Sequence, residues 1–459
     1  MLLIDGLKYN VPASAFSNSA YTFKERHWSH TAMLRGRGAA FNWQIIGTSF
    51  DYDKDIQRIP TTALPAARTG GAGNMVDLKG TGWRTFDAKG SWRSDANATH
   101  TVGFGFHHDR FRLNNNRYST TNWISGPQGA LNLASRGRTE TNGVYLQDEF
   151  KIGHMVAVTL GGRYEWWRAY DGFNFTSATT PARTVNQPGL SAEKFSPKAS
   201  VTFQPAQHWT VMASYGDAYR FPTVSELYQT VATGPNIGIP NPNLRPEHAR
   251  SFELAAERRD SRGNVRLSLF QEGIKNALIS QTAPFVPGTI SFLPGQEPAA
   301  GTLVAFIQNI DRLRARGVEF AFDQRNLFDS PFDLAGSATY VDAEIRKNRA
   351  LPAAVGKQTP TIPKFKFTLV GTYHPTEQIA LTAAARYSDR QFATIDNVDV
   401  NTHTYQGFDG FFVVDLRARF ELSRQWALAV GVDNVNNAKY YIFHPFPQRS
   451  FSAELNFKL

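Results

Sequence analysis

The residues of this chain with the types and spacing to do chemistry suit capture rather than catalysis. Lys364, Lys366, Arg386, Arg417 and Arg419 recur on the polar face of alternating segments towards the C-terminus. Lining a channel, they would make it basic and favour anionic cargo, although charge on that face is also simply what the alternation demands. His107 and His108 are adjacent, and a period of two points their rings to opposite faces, which favours a rim position over a joint metal site. Asp396, Asp399, Asn401 and His403 share one loop-like stretch. Without the spacing and glycine of a calcium loop they read as a solvated polar loop. There is no G-x-S-x-G, no Walker-type loop, no H-E-x-x-H and no glycine fingerprint leading from a strand into a helix. The chain is accordingly read as no enzyme, with no metal and no cofactor.

The elements that must position these residues follow one rhythm. Segments of about 10–13 residues with period-two alternation are joined in turn by short polar turns and long irregular loops. The alternation predicts strands at 22–34, 39–50, 80–92, 99–111, 138–150, 156–168, 194–203, 209–221, 249–258, 264–276, 312–325, 332–345, 362–372, 378–388, 410–420, 426–436 and 447–459. Short turns fall at 35–38, 93–98, 151–155, 204–208, 259–263, 326–331, 373–377 and 421–425. Long loops fall at 51–79, 112–137, 169–193, 222–248, 277–311, 346–361, 389–409 and 437–446.

Bulk composition narrows the class. The 49 Lys and Arg exceed the 39 Asp and Glu to give a formal charge of +10, but the cations are scattered and no nucleic-acid motif accompanies them. Without cysteine, disulfides and thiolate metal sites are excluded. No run of about 18 apolar residues exists, so a membrane-spanning form of this chain must be a barrel. Phe412, Val414, Leu416, Ala418 and Phe420 alternate with Asp415, Arg417, Arg419 and Glu421, and Trp426, Leu428, Val430 and Val432 with Ala427, Ala429, Gly431 and Asp433. Such strands are long for a soluble sheet and match a tilted membrane crossing, with the apolar set facing lipid. Aromatics near segment ends, at Tyr164, Trp166, Trp167, Trp209, Tyr387, Trp426, Tyr440 and Tyr441, fit an interfacial girdle.

One stretch carries a resemblance. Arg220, Phe221, Pro222 and Thr223 precede Glu226, Leu227 and Tyr228, and Asn241, Pro242, Asn243 and Leu244 precede Pro246 and Glu247. Together these resemble the barrel domain of TonB-dependent outer-membrane receptors, where an RxPTxxELY segment and an NPNLxPE segment recur at this separation. Similar family-like stretches run from about residue 22 to the end, including Phe195-Ser196-Pro197-Lys198 and Gly431-Val432-Asp433-Asn434-Val435. The last strand places Phe451, Ala453, Leu455, Phe457 and Leu459 on one face. The resemblance makes Phe457 and Leu459 the assembly signal, although a terminal aromatic is usual and leucine stands last here.

The resemblance implies an all-β chain, an antiparallel transmembrane β-barrel with about seventeen strands of a plugged barrel of about 22. It implies a lipid bilayer of a Gram-negative outer membrane, an iron-siderophore-type ligand, TonB acting through an N-terminal plug, and the outer-membrane assembly machinery as partners. Haem receptors of this type carry an axial histidine between the two motif segments. None lies from Arg220 to Leu244, and His248 is the nearest, so haem is disfavoured, with His27, His30 or loop residues as the remaining candidates. An ungated diffusion porin is the alternative. Residues 1–12, MLLIDGLKYNVP, lack a basic region and a cleavage site, so they are not a secretory signal. Counting back from a last strand that ends in the periplasm makes segment 22–34 a descending, even-numbered strand, the sixth of 22. The chain is therefore read as residues 1–459 of a partial barrel without plug or first five strands, with an unpaired edge at 22–34 facing 447–459, intolerable in lipid unless the two strands close a smaller barrel.

Overall fold

The computed structural model describes residues 2–4, 7–9 and 21–458, apart from 63, 96–97, 179–180, 234–235, 285–302 and 406. Leu459 and much of the expected loop at 277–311 lie outside the described residues. The alternating segments form long strands: β1 Thr22–Arg37, β2 Phe41–Pro60, β3 Gly82–Trp92, β4 His100–Thr120, β5 Leu131–Ile152, β6 Val156–Thr176, β7 Leu190–Ala206 and β8 Trp209–Arg220. They continue as β9 Glu247–Asp260, β10 Gly263–Pro284, β11 Leu303–Gln324, β12 Phe332–Lys347, β13 Phe365–Thr376, β14 Ile379–Ser388, β15 Phe411–Glu421, β16 Trp426–Asp433 and β17 Ser450–Phe457. Each long strand pairs antiparallel with the next, as the short turns require.

The strands overrun the expected loops on the long-loop side. β4 and β6 run to Thr120 and Thr176, and β5, β10 and β11 each reach 22 residues. The apolar period ends well before the backbone pairing does. Asn114, Asn115, Asn116 and Arg117 pair with residues of β5 although neither face there is apolar. Beyond the apolar band the inward residues Asn115, Ser135 and Asn174 are polar yet buried, so pairing persists with no hydrophobic alternation to read.

The registers fix inside and outside. Phe367, Leu369 and Gly371 of β13 stand opposite Tyr387, Ala385 and Ala383 of β14, which stand opposite Phe412, Val414 and Leu416 of β15. Leu416 continues to Val432 and then Phe451, and Ala418 to Val430 and then Ala453. Along this row Leu416 is 45% exposed, Val430 40% and Phe451 76%. A continuous apolar wall of this extent has no stable place in water, and it matches the lipid-facing band of a barrel. Residues of the opposite parity, Lys366, Arg386, Asp415, Arg417 and Glu454, face the lumen.

The strand order closes into a ring in which β17 lies beside β1, smaller than the 22-strand ring of the resemblance. Extended registers join β1 to β2 and β16 to β17, whereas no such run joins β17 to β1 among the described residues. β1 is exposed at all but two positions and β17 at all eight. Side chains at this junction lack the cross-strand neighbours that cover half of each strand elsewhere, so it is the seam of the wall.

Candidate functional site

The loop 221–246 after β8 turns inward and packs on the inner wall of β4–β6. Its local fold is dictated by a capping box. The Thr223 hydroxyl accepts from the Glu226 N–H (3.3 Å), the Glu226 carboxylate accepts from the Thr223 N–H (2.7 Å), and together they start the helix α1, Val224–Tyr228. The second Glu226 oxygen accepts from Arg220, tying the helix to the end of β8. Phe221 stacks on Trp167 of β6, centroids 5.6 Å apart. Val224, Leu227, Tyr228 and Leu244 then close a small core with Leu113, Trp167 and Ala169.

Tyr228 is the deepest anchor, with no exposed surface. Its ring lies against Gly137 and Gly172, where an added Cβ would come within 2.4 and 2.6 Å of it, so both positions must lack a side chain. Its carbonyl accepts from Asn174 (2.8 Å), and the next but one N–H, of Thr230, donates to Ser135 Oγ (3.1 Å). Burial pushes the Tyr228 phenol up, and its hydroxyl has no hydrogen-bond partner among the described residues. Tyr228→Phe should therefore keep the loop in place and leave stability unchanged or higher by up to about 1 kcal/mol, read by denaturant unfolding in lipid.

The second motif segment meets the first. Asn241 N–H donates to the Glu226 carbonyl (2.9 Å), its side chain accepts from Asn243 N–H (3.0 Å) and donates to the Ile307 carbonyl (3.1 Å). Arg245 N–H reaches Asn309 Oδ1 (2.9 Å) beyond Leu244, and Pro222 is fully buried. The residues Arg220, Phe221, Pro222, Glu226, Tyr228, Asn241, Asn243 and Leu244 are thus brought together, as a clasp that holds the loop down.

The expected basic lumen is largely neutralised. Arg386 pairs with Asp415 (2.9 Å), Arg417 with Glu454 (2.9 Å) and Arg419 with Glu421 (2.7 Å). The carboxylates come from neighbouring strands or two residues along, a proximity that the list of cations alone could not show. Lys364 and Lys366 carry no carboxylate partner among the described residues. Phe457 packs outward on Trp426, centroids 4.7 Å apart. Three girdle aromatics are reassigned. Trp167 is 4% exposed and points inward, while Tyr440 and Tyr441 are buried in a loop cluster where Tyr440 stacks on Phe411 and Phe446.

Histidines are engaged where they stand. His248 stacks on Tyr219 (4.4 Å) with Nε2 3.3 Å from Asp217, which also holds Arg250. His27 lies 3.0 Å from Asp55 and stacks on Tyr52, and His30 stacks on Trp28. His108 turns outward to Asn142 (2.8 Å), while His107 turns into the lumen between Asp87 (2.8 Å) and Asp109 (3.1 Å). Sequence reading missed this triplet because Asp87 is brought from another strand, although Asp109, two residues on, was visible as a same-face neighbour. In the loop before β15, Asp399 accepts from Ala393 N–H and Thr394 Oγ (both 2.7 Å), so that carboxylate holds the loop's own fold.

Along the inner wall of β1–β8 lies a cavity of about 900 Å³, with Arg35, Arg37, Lys89, Arg163 and Lys198 among its lining and Glu165 beside Arg163 (2.8 Å). In this lining those five cations outnumber the two carboxylates, Glu165 and Asp217, in contrast to the paired charges of β14–β17. The arrangement can hold a large polar, anionic body. It offers no assembled nucleophile and base.

A long-stranded barrel, apolar outside and polar within, with a loop folded onto its inner wall, defines a transmembrane barrel of the outer-membrane type. The family model described as TonB dependent receptor-like, beta-barrel, matches residues 5–435, and the chain belongs to that family. It is 22% identical over 378 residues, 78% of this chain and 44% of the relative, to a probable TonB-dependent siderophore receptor, PiuA, of Acinetobacter baumannii. A hemin receptor of Yersinia pestis is 26% identical over 132 residues, 26% of this chain and 18% of that protein. The crystal structure of the ferripyoverdine receptor of the outer membrane of Pseudomonas aeruginosa superposes with a TM-score of 0.67 at 14% identity, covering 99% of this chain and 59% of that one. The chain spans less than half the length of these sequence relatives. The family is one of transport receptors, and it places the chain in the outer membrane of a Gram-negative bacterium.

Proposed function

We propose that the chain is the barrel wall of a receptor for energised, TonB-dependent uptake of a ferric siderophore or related iron complex, and that it catalyses no reaction. The observation that carries this is the family match across residues 5–435. The in-folded motif loop and the cation-rich arc of the lumen support it, because both suit a body held inside the barrel more than a free aqueous channel. The long strands among the described residues all belong to one sheet and the α-helix has five residues. We therefore assign gating to a plug unit acting with these residues, and TonB to that plug. Phe457 serves the outer-membrane assembly machinery in this reading. Engagement of His27 and His248 by carboxylates and rings favours a siderophore over haem.

The test is growth of a receptor-deleted strain on single ferric siderophores, with the chain expressed alone and with a plug domain supplied. Rescue on at least one ferric complex is expected only when the plug is supplied. Rescue by the chain alone would overturn the plug assignment. Failure on every iron complex with a plug bound in the barrel would overturn the ligand class.

A further inference from the structure

Beyond the lipid-facing band, on the long-loop side, four arginines cluster at outward positions of three neighbouring strands. Phe86 of β3 and Phe104 of β4 are each 40% exposed on that band, and Leu146 of β5 60%. Arg84 is the next outward position after Phe86, Arg110 and Arg112 follow Phe106 and His108 on β4, and Arg138 follows Val144, Asn142 and Glu140 on β5. The registers set Arg84 directly opposite Arg110 and Arg112 directly opposite Arg138. Like charges facing each other across a strand pair are destabilising, and here two such pairs are adjacent.

Nearby carboxylates do not cancel the charge. The four guanidiniums line one cleft of about 160 Å³ with Asp51, the one carboxylate of its lining. Asp51 is 4.0 Å from Arg84 and accepts a hydrogen bond from Ser49 (2.6 Å). Arg138 has Asp171 at 2.9 Å, and Glu140, opposite Arg110, is taken by Arg168 (2.9 Å). What remains is a cationic cleft on the outward face, adjoining the apolar band at Phe86 and separated from it on β4 and β5 by the row of His108 and Asn142. Forked guanidiniums suit phosphate oxygens, and the wall beneath suits acyl chains.

We propose that Arg84, Arg110, Arg112 and Arg138 form a docking site for the phosphate of an outer-leaflet lipid headgroup, whose chains lie on the band at Phe86 and Phe104. The lipid, rather than a free phosphate, is favoured by the continuity of the cleft with that band. The bound phosphate offsets the repulsion between the facing arginines.

The experiment uses the full chain refolded in phosphatidylcholine vesicles with spin-labelled phosphatidic acid or spin-labelled phosphatidylcholine as probe. The protein should immobilise the phosphatidic acid probe in preference to the other, and Arg110→Gln/Arg112→Gln should lower that preference by roughly fivefold or more. An unchanged preference, or none in the parent chain, would overturn the site. Denaturant unfolding supplies a second reading that does not depend on the probe. In pure phosphatidylcholine the double variant should be at least as stable as the parent, and with phosphatidic acid added it should be the less stable. The same order in both lipids contradicts the proposal. Displacement of the labelled lipid by soluble glycerol phosphate at equal concentration would show a free-anion site and overturn the lipid assignment.

Discussion

Leu416→Arg and Val430→Arg should each destabilise the assembled barrel by about 2–4 kcal/mol, since both sit mid-strand in the lipid-facing row. The cost arises because a guanidinium at that depth must either leave water or distort the bilayer to keep it. Thr368→Arg is the matched control. Thr368 is exposed on the lumen face of β13, opposite Arg386, and an arginine there reaches water directly. It should cost well under half as much. Ala429 shares the lumen parity but is 2% exposed, so an arginine there would fail for want of space and says nothing about lipid. Unfolding in lipid vesicles checks the contrast. Equal losses at Leu416 and Thr368 would defeat the assignment of inside and outside.

How much of this was legible in the sequence depends on which physical signal each feature leaves. Strand position and facing were legible wherever one face meets lipid. Trp209–Arg220 and Phe332–Lys347 fall within a few residues of the segments expected at 209–221 and 332–345. A two-residue period is enough there because lipid accepts only apolar side chains and the lumen tolerates anything. Above the band that contrast vanishes, and the extensions of β4, β5 and β6 past Asn116, Ser135 and Asn174 went unread. Long-range pairing leaves no local mark either. Arg417 could be placed in the lumen from its parity, but its partner Glu454 stands 37 residues away and was invisible. Trp167 shows the remaining ambiguity. Its neighbour Trp166 is 38% exposed to the outside while Trp167 is buried under Phe221, and both had looked like interfacial aromatics.

The motif loop was legible as a motif and illegible as a structure, for the same reason. Its Gly, Pro and Asn content announces a loop, whereas the direction in which it folds is set by one side chain and the cradle that receives it. That makes Tyr228 the position of largest local effect. Tyr228→Ala removes a fully buried aromatic and should weaken docking of the loop by about 3–5 kcal/mol. Capping at Thr223 and the Arg220–Glu226 pair remain, so α1 can still form, but nothing replaces the ring against Gly137 and Gly172. The population of undocked loop should rise roughly 10²- to 5 × 10³-fold, and proteolysis within 221–246 should quicken in proportion where opening is fast relative to cleavage. The β8–β9 register lies outside this loop, and the loop's own pairing to the wall is the short parallel run of Ile237–Ile239 on Val304–Phe306 of β11, so the global unfolding midpoint should move little. Gly137→Ala provides the independent arm, since it leaves the tyrosine intact and fills its seat. Rapid cleavage in both variants with unchanged barrel stability is expected of a clasp. Slow cleavage in both, or a barrel that unfolds before the loop is cut, would mean that the loop is held by its second segment at Asn241 and Leu244 instead.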